Sequence, residues 1–360
     1  MKELTQTRIV LIVATIICCA VSSPRNGLAD QDGSRSAPRG PAQHPTLLDG
    51  YVARPPWRVA GVDYAVGVNP GTTLKIPTAG NLPPGASLQH GAGWTAIYVD
   101  GNNVKLDGYD LTGLTVMIND GASGTVTISN CAATTGVNIR STVGATANLV
   151  VQNCSLNGGG PAADPDFQLI KVWCPLTVEY SVIKDAPGGI YAGAPLTVLY
   201  NVMEGFGING GHANAIYVVG GNDPTASTTI AYNTIYSGDT RTASYNVTGL
   251  GAAIAFFGDG GNFYSSTVAN NTLISALSGA SSYLIGFYVG GGASATGGDV
   301  HDNYLASVNG FNRRQSGAFG PFYTGSKGVV QANYSGNIDM NTRRLLVVGG
   351  RGKMRDDGAR

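Results

Sequence analysis

The sequence predicts an all-β chain wound into a parallel β-helix, a solenoid of about nine coils, and three observations predict it. A motif of aliphatic, two residues, Asn, one residue, aliphatic recurs along most of the chain, as IAYNTI at 230–235, VANNTL at 268–273 and VHDNYL at 300–305. Each copy follows a second short run rich in Val, Ile and aromatics, such as Val137 to Ile139, Leu169 to Val172, Ala215 to Val218, Ala253 to Phe256 and Leu284 to Phe287. The composition, with 53 Gly and 12% charged residues, suits tight turns around a continuous core rather than helices. The runs are too short and too glycine-broken for helices, and a fixed motif at periods of 20–50 residues marks a solenoid.

Taken in order, the fourth slot of the motif falls at Tyr109, Cys131, Cys154, Ser181, Asn201, Asn233, Asn271, Asn303 and Asn333, with gaps of 20 to 38 residues. Constant strands with variable loops explain such gaps. Asn tolerates the left-handed backbone that a sharp turn requires, so the slot is expected at a corner. Stacked amides there can bond along the axis at the strand spacing of about 4.8 Å.

Outside the repeats, residues 1–29 read as a secretory signal: Lys2 and Arg8 precede the apolar stretch 9–17, which is short for a membrane span. Cleavage is expected after Ala29, with Ala20 and an uncleaved anchor as alternatives, and the protein is expected to be secreted, periplasmic or on the cell surface. Residues 30–56 read as a Pro/Gly/Ser-rich tether, 57–340 as the β-helix with an N-terminal cap, and 341–360 as a basic, disordered tail.

Net charge is zero at pH 7, so no global electrostatic case exists for nucleic acid or, once the signal is removed, for membrane, and a monomer is expected. Five cysteines fall to Cys131, Cys154 and Cys174 without the signal, an odd number that argues against a disulfide framework. Cys131 and Cys154 are read as stacked thiols, a bridge being the alternative.

A filled solenoid must work on its outside. If Val137, Ile139, Ile170, Val172, Ile190, Ile216 and Val218 point inward, then Asn138, Arg140, Lys171, Trp173, Tyr191 and Tyr217 point out as a basic and aromatic strip. Aromatic faces pack on sugar rings, and Lys and Arg pair with uronate or sulfate. The plainer reading of the strip is cross-strand stabilisation. The longest insertions, at 158–166, 205–213, 237–251, 277–282 and 308–318, are expected to wall a groove beside it.

The rungs resemble the right-handed parallel β-helix proteins of the pectin-lyase-like superfamily, over about residues 60–340. The resemblance implies a right-handed, single-stranded coil and an acidic polysaccharide as substrate or ligand, engaged by a lyase, a glycoside hydrolase or a non-catalytic binding or structural rod. The stretch GGHANAIY at 210–217 is similar to a His-x-Asp-x-Ile segment of polysaccharide-active members, with Asn214 where Asp would stand. On this resemblance Lys171, His212 and Arg241 are the candidate catalytic residues, and Asn138, Arg140, Trp173, Tyr191, Tyr217 and Asn214 the candidate substrate contacts. Asp164, Asp166, Asp185, Asp223, Asp239 and Asp259 are the carboxylates from which a hydrolase would need two facing one sugar. The polygalacturonase-like signature is absent. No acidic triplet matches a calcium-dependent lyase, so neither metal nor cofactor is assigned.

Overall fold

Three stacks of in-register strands carry the structure, a computed structural model that describes residues 40–160, 167–207, 214–221, 223, 225–237, 250–258, 261–275, 281–290, 292–307, 311, 320–324, 329–346, 348, 349, 353 and 354. The chain divides into residues 1–37 and 38–360, and every described residue belongs to the second unit. No α-helix occurs among the described residues. The first sheet has ten strands, the second nine and the third eight. Within each sheet the neighbours are parallel, apart from the opening hairpin of Ala86–Gly91 with Trp94–Val99 on the first. The chain visits the sheets cyclically: Gln168–Val172 on the first, Leu176–Glu179 on the second, Val182–Ala186 on the third, then Gly188–Ala192 on the first again. This order defines a parallel β-solenoid.

The alternation read from the sequence places the core. In the first sheet Ile139, Ile170, Ile190, Ile216, Ile254, Ile285 and Phe322 form one inward column. The second sheet stacks Val151, Val178, Val198, Ile230, Val268 and Val300, and the third Leu156, Ile183, Met203, Ile235, Leu273 and Leu305. All are buried in one continuous cluster. Burying each such side chain contributes about 1.5–3 kcal/mol.

The ladder slot lies at the corner between the second and third sheets, but its backbone role differs from the expectation. The left-handed residue is the one before it: Asn130, Asn153, Tyr180, Tyr200, Tyr232, Asn270 and Asp302 have φ between 50° and 59°. Gly108 and Gly336 fill that position at the two ends, with φ of 71° and 66°. Three tyrosines tolerate the strained backbone because their rings stack on one another at 5.0 Å, with Trp57 edge-on to the last. The slot itself supplies hydrogen bonds. Asn233 Nδ2 donates to Val198 O (2.8 Å), Ala231 O (3.0 Å) and Asn271 Oδ1 (3.0 Å), while its Oδ1 accepts from Asn201 N (3.0 Å). Asn201, Asn271 and Asn303 repeat the pattern. The final rung is Asn337, whose Oδ1 accepts from Asn303 N at 3.1 Å, and not Asn333. Tyr334, rather than an aliphatic residue, pairs with Val300 there, which hid the register in the sequence.

Cys131 and Cys154 occupy the slot as free, buried thiols. Tyr109 N donates to Cys131 Sγ (3.4 Å), and Cys154 Sγ donates to Gln152 O (3.3 Å). Burial pushes the Cys154 thiol well above its ordinary pKa and raises Cys174, while the hydrogen bond with Cys154 lowers Cys131, which is 0% exposed and so out of reach of a reagent. Thiolate is the reactive form. A chain lacking residues 1–29 is therefore expected to bind no aromatic disulfide reagent while folded and three equivalents in denaturant. Fast labelling of the native protein would contradict the packing.

The tether and tail differ from expectation where they are described. Residues 40–56 do not run free: Leu48 packs with Val59, Val62, Ile274, Ala306 and Met340. Ala53 N donates to Met340 O (3.0 Å). From there the chain runs back along the outer face of the third sheet. Ala60 and Val66 pack on Tyr180, Val182 and Val202, and Ala60 O accepts from Thr234 Oγ1 (2.7 Å). Asn69 reaches Asn130 (2.6 Å), and Lys75 N donates to Gly108 O (2.8 Å). Residues 57–75 are thus a strap over several coils, not only a cap on the first. Beneath it, Glu204, 3% exposed, lies with Oε2 2.7 Å from His44 Nε2. At the far end Leu346 enters the core and its N–H donates to Asn337 O (2.7 Å), so the start of the expected tail closes the last coil.

Candidate functional site

The strap packs on the third sheet, and the outer face of the first sheet carries the basic and aromatic strip. The strands there carry Ile, Val or Phe on their inward positions, which fixes the side chains between them outward. Arg140, Lys171, Tyr191 and Tyr217 stand in one row on consecutive strands. Asn138 lies two residues before Arg140, and Trp173 two after Lys171. All six are partly exposed.

The row continues as Ala255, Gly286 and Tyr323. Over the two small residues lean the rings of Phe257 and Tyr288, from two residues further along their strands. The result is a ribbon: Tyr191 on Tyr217 (4.8 Å), Tyr217 on Phe257 (4.4 Å), Phe257 on Tyr288 (4.5 Å) and Tyr288 on Tyr323 (4.6 Å). The sequence strip therefore extends further than its six residues. The signal for Phe257, Tyr288 and Tyr323 was an aromatic on each successive rung, obscured by the shift around Ala255 and Gly286.

Stacking changes what the ribbon can do. Interior rings spend both faces on neighbours, so they present edges and hydroxyls rather than platforms for sugar rings. Burial pushes the Tyr288 hydroxyl far above its ordinary pKa and raises Tyr283 and Tyr191 as well, so these phenols remain neutral donors. Trp173 differs. It meets Tyr191 edge-on, at 5.6 Å and 70°, and its indole lies over Gly193, where a Cβ would stand 2.2 Å from Cε3. Any side chain at 193 would lift the indole off the sheet. Lys171 Nζ sits 4.9 Å from the Tyr191 ring centroid, and Arg140 Cζ 5.4 Å from that of Phe167. Each such contact contributes about 0.5–1 kcal/mol at an exposed site and leaves the cation partly hydrated. Asn138 Oδ1 is out of contact with solvent and has no hydrogen-bond partner among the described residues.

The remaining candidates separate from this cluster. Asn214 is not on the floor: it is 0% exposed, and its Oδ1 accepts from Ala252 N (2.7 Å), which fixes the next coil. His212 and Arg241 lie outside the described residues, as do Asp164, Asp166, Asp239 and Asp259. Asp185 lies at the third sheet, bonded by Asn157 Nδ2 (3.1 Å). Asp223 is an exposed turn residue capped by Thr225. His301 pairs with Asp302 (2.9 Å) on the second sheet, away from the floor. Among the described residues no group of three or more His, Cys, Asp or Glu is placed to hold a metal ion. All five long insertions leave third-sheet strands and return to first-sheet strands, so they enter at one corner beside the floor, although most of their residues lie outside those described.

Fold and surface together define an all-β protein of stacked parallel sheets with a basic and aromatic outer face. No family model, no curated protein and no solved structure matches the chain.

Proposed function

We propose that this chain is an exported, monomeric, right-handed parallel β-helix of about nine coils, of the pectin-lyase-like kind, that engages an acidic polysaccharide on the outer face of its first sheet. The observation that carries this reading is the corner where Arg140 and Lys171 stand in register beside Trp173, whose partly exposed indole lies over Gly193. Two cations one strand apart suit the anionic groups of a uronate or sulfated chain, and a partly exposed indole suits the C–H face of a sugar. In the catalytic form of this reading, Lys171, with His212 and Arg241, neutralises the uronate and removes its proton. In the non-catalytic form the protein is a glycan-binding rod that holds its ligand at Arg140, Lys171 and Trp173, while the stacked faces of the aromatic ribbon serve the fold.

The test follows absorbance of unsaturated uronates at 232 nm together with reducing ends, over pectic, alginate-like and glycosaminoglycan substrates, on protein lacking residues 1–29. Absorbance lost in Lys171→Ala supports a lyase, and reducing ends alone support a hydrolase. Without turnover, Arg140→Ala and Trp173→Ala are each expected to weaken binding of an acidic oligosaccharide about tenfold, given charge-assisted contacts of roughly 1.5–3 kcal/mol. Neither turnover nor binding on any of these glycans would sink the reading.

A further inference from the structure

A cavity of about 240 Å3 opens at the corner between the first and second sheets, on three consecutive coils. Its wall includes Gly193, Pro195, Val218, Asp223, Asn262 and Tyr264. Gly193 is also the seat of the Trp173 indole, so the cavity begins where the exposed floor ends. We infer that this cavity is a separate subsite for one neutral sugar ring, and that the protein reads a glycan in which neutral and acidic units occur together. The inference rests on the polysaccharide reading above and adds a second point of contact to it.

Size, lining and charge support it. The volume falls below the roughly 300–1,000 Å3 of sites for drug-sized ligands, which fits a single ring rather than an oligomer. Proline, valine and glycine backbone form an apolar side, and a carboxylate, an amide and a phenol form a polar one. A pyranose has the same division between C–H faces and hydroxyl rim. The polar groups are already oriented: Asn262 Nδ2 donates to the Tyr264 hydroxyl (3.1 Å), and its Oδ1 accepts from Ser294 N (2.7 Å). Asp223 Oδ1 accepts from Thr225 N (2.8 Å) and Oγ1 (2.6 Å). Those bonds hold the Asp223 carboxyl below the usual carboxylate range, so it is ionised at neutral pH. An ionised carboxylate accepts from sugar hydroxyls and repels a uronate, the reverse of the preference expected beside Arg140 and Lys171.

Saturation-transfer NMR on protein lacking residues 1–29, with D-glucose, D-galactose, D-mannose and D-galacturonate as probes, tests the assignment. The expected result is transfer to at least one neutral hexose and none to galacturonate. That transfer should fall at least tenfold in Asp223→Ala, an exposed position, and vanish in Ala226→Trp, which fills the cavity, while circular dichroism stays unchanged. Arg140→Ala should leave it intact. Absence of transfer to all three hexoses, or transfer that survives Ala226→Trp, overturns the subsite. If an acidic oligosaccharide still binds in that case, the floor reading stands without it. Hexose transfer in a protein that binds no acidic glycan keeps the subsite and removes the floor.

Discussion

Replacing Asn233 by alanine is expected to lower the free energy of unfolding by about 3–4 kcal/mol, because buried polar groups lose their partner at about 1–3 kcal/mol each. Asn233 is 1% exposed and serves five groups at once: the backbone N–H and the side-chain amide of Asn201, the carbonyls of Val198 and Ala231, and the side-chain oxygen of Asn271. Alanine strands the Asn201 N–H in a region no water reaches. Serine should cost about half as much by the same reckoning. Ser181 shows why: its Oγ accepts from Cys154 N (3.1 Å) and donates to Glu179 O (3.0 Å), but no bond from it reaches the preceding coil's carbonyl as Asn201 Nδ2 reaches Val178 O. Urea unfolding gives the size of the loss, and hydrogen exchange should locate it on the two flanking coils, since a solenoid transmits stability through nearest neighbours. A loss under about 1 kcal/mol in the alanine variant would mean that the ladder is not the source of stability argued here.

Gly61→Ala is expected to cost about 3 kcal/mol, from a left-handed backbone at roughly 1–2 kcal/mol and overpacking at roughly 1–3 kcal/mol. Gly61 has φ of 74°, and a Cβ there would lie 2.4 Å from Val202 Cγ2 on the outer face of the third sheet. The strap crosses too closely for any side chain. Removing the offending methyls makes the argument testable by a double-mutant cycle. Val202→Ala alone leaves a cavity and destabilises, yet it should relieve the clash, so the double variant should be more stable than the sum predicts by about 1–2 kcal/mol. Strict additivity would show that the strap does not sit on Val202.

The aromatic face carries a lesson about reading function from composition. A row of exposed tyrosines on a β-solenoid suggests sugar stacking until the rings are seen to stack on one another. The floor then reduces to its basic end, where Arg140, Lys171 and Trp173 meet. The second candidate lies beyond Trp173, around Asp223, which the sequence offers only as one of six carboxylates open to a hydrolase.

The amino-acid sequence alone determined the strands, their alternation and the corner ladder. These are local and periodic: an inward Ile or Val on every rung and a polar slot at a fixed offset from it repeat however long the loops between them grow. It also sufficed to place Arg140, Lys171, Trp173, Tyr191 and Tyr217 on one outer face, since that follows from the period of two. Only the tertiary structure decided the rest. The strap and the segment before it bond Ala60 to Thr234 and Val52 to Arg343 across 174 and 291 residues, contacts with no periodic trace. Asn214 looked like part of a motif and proved to be a buried bond to the next coil, because burial depends on what the neighbouring rung brings. The cavity beside Gly193 exists only where three coils meet, and no single stretch of chain encodes it.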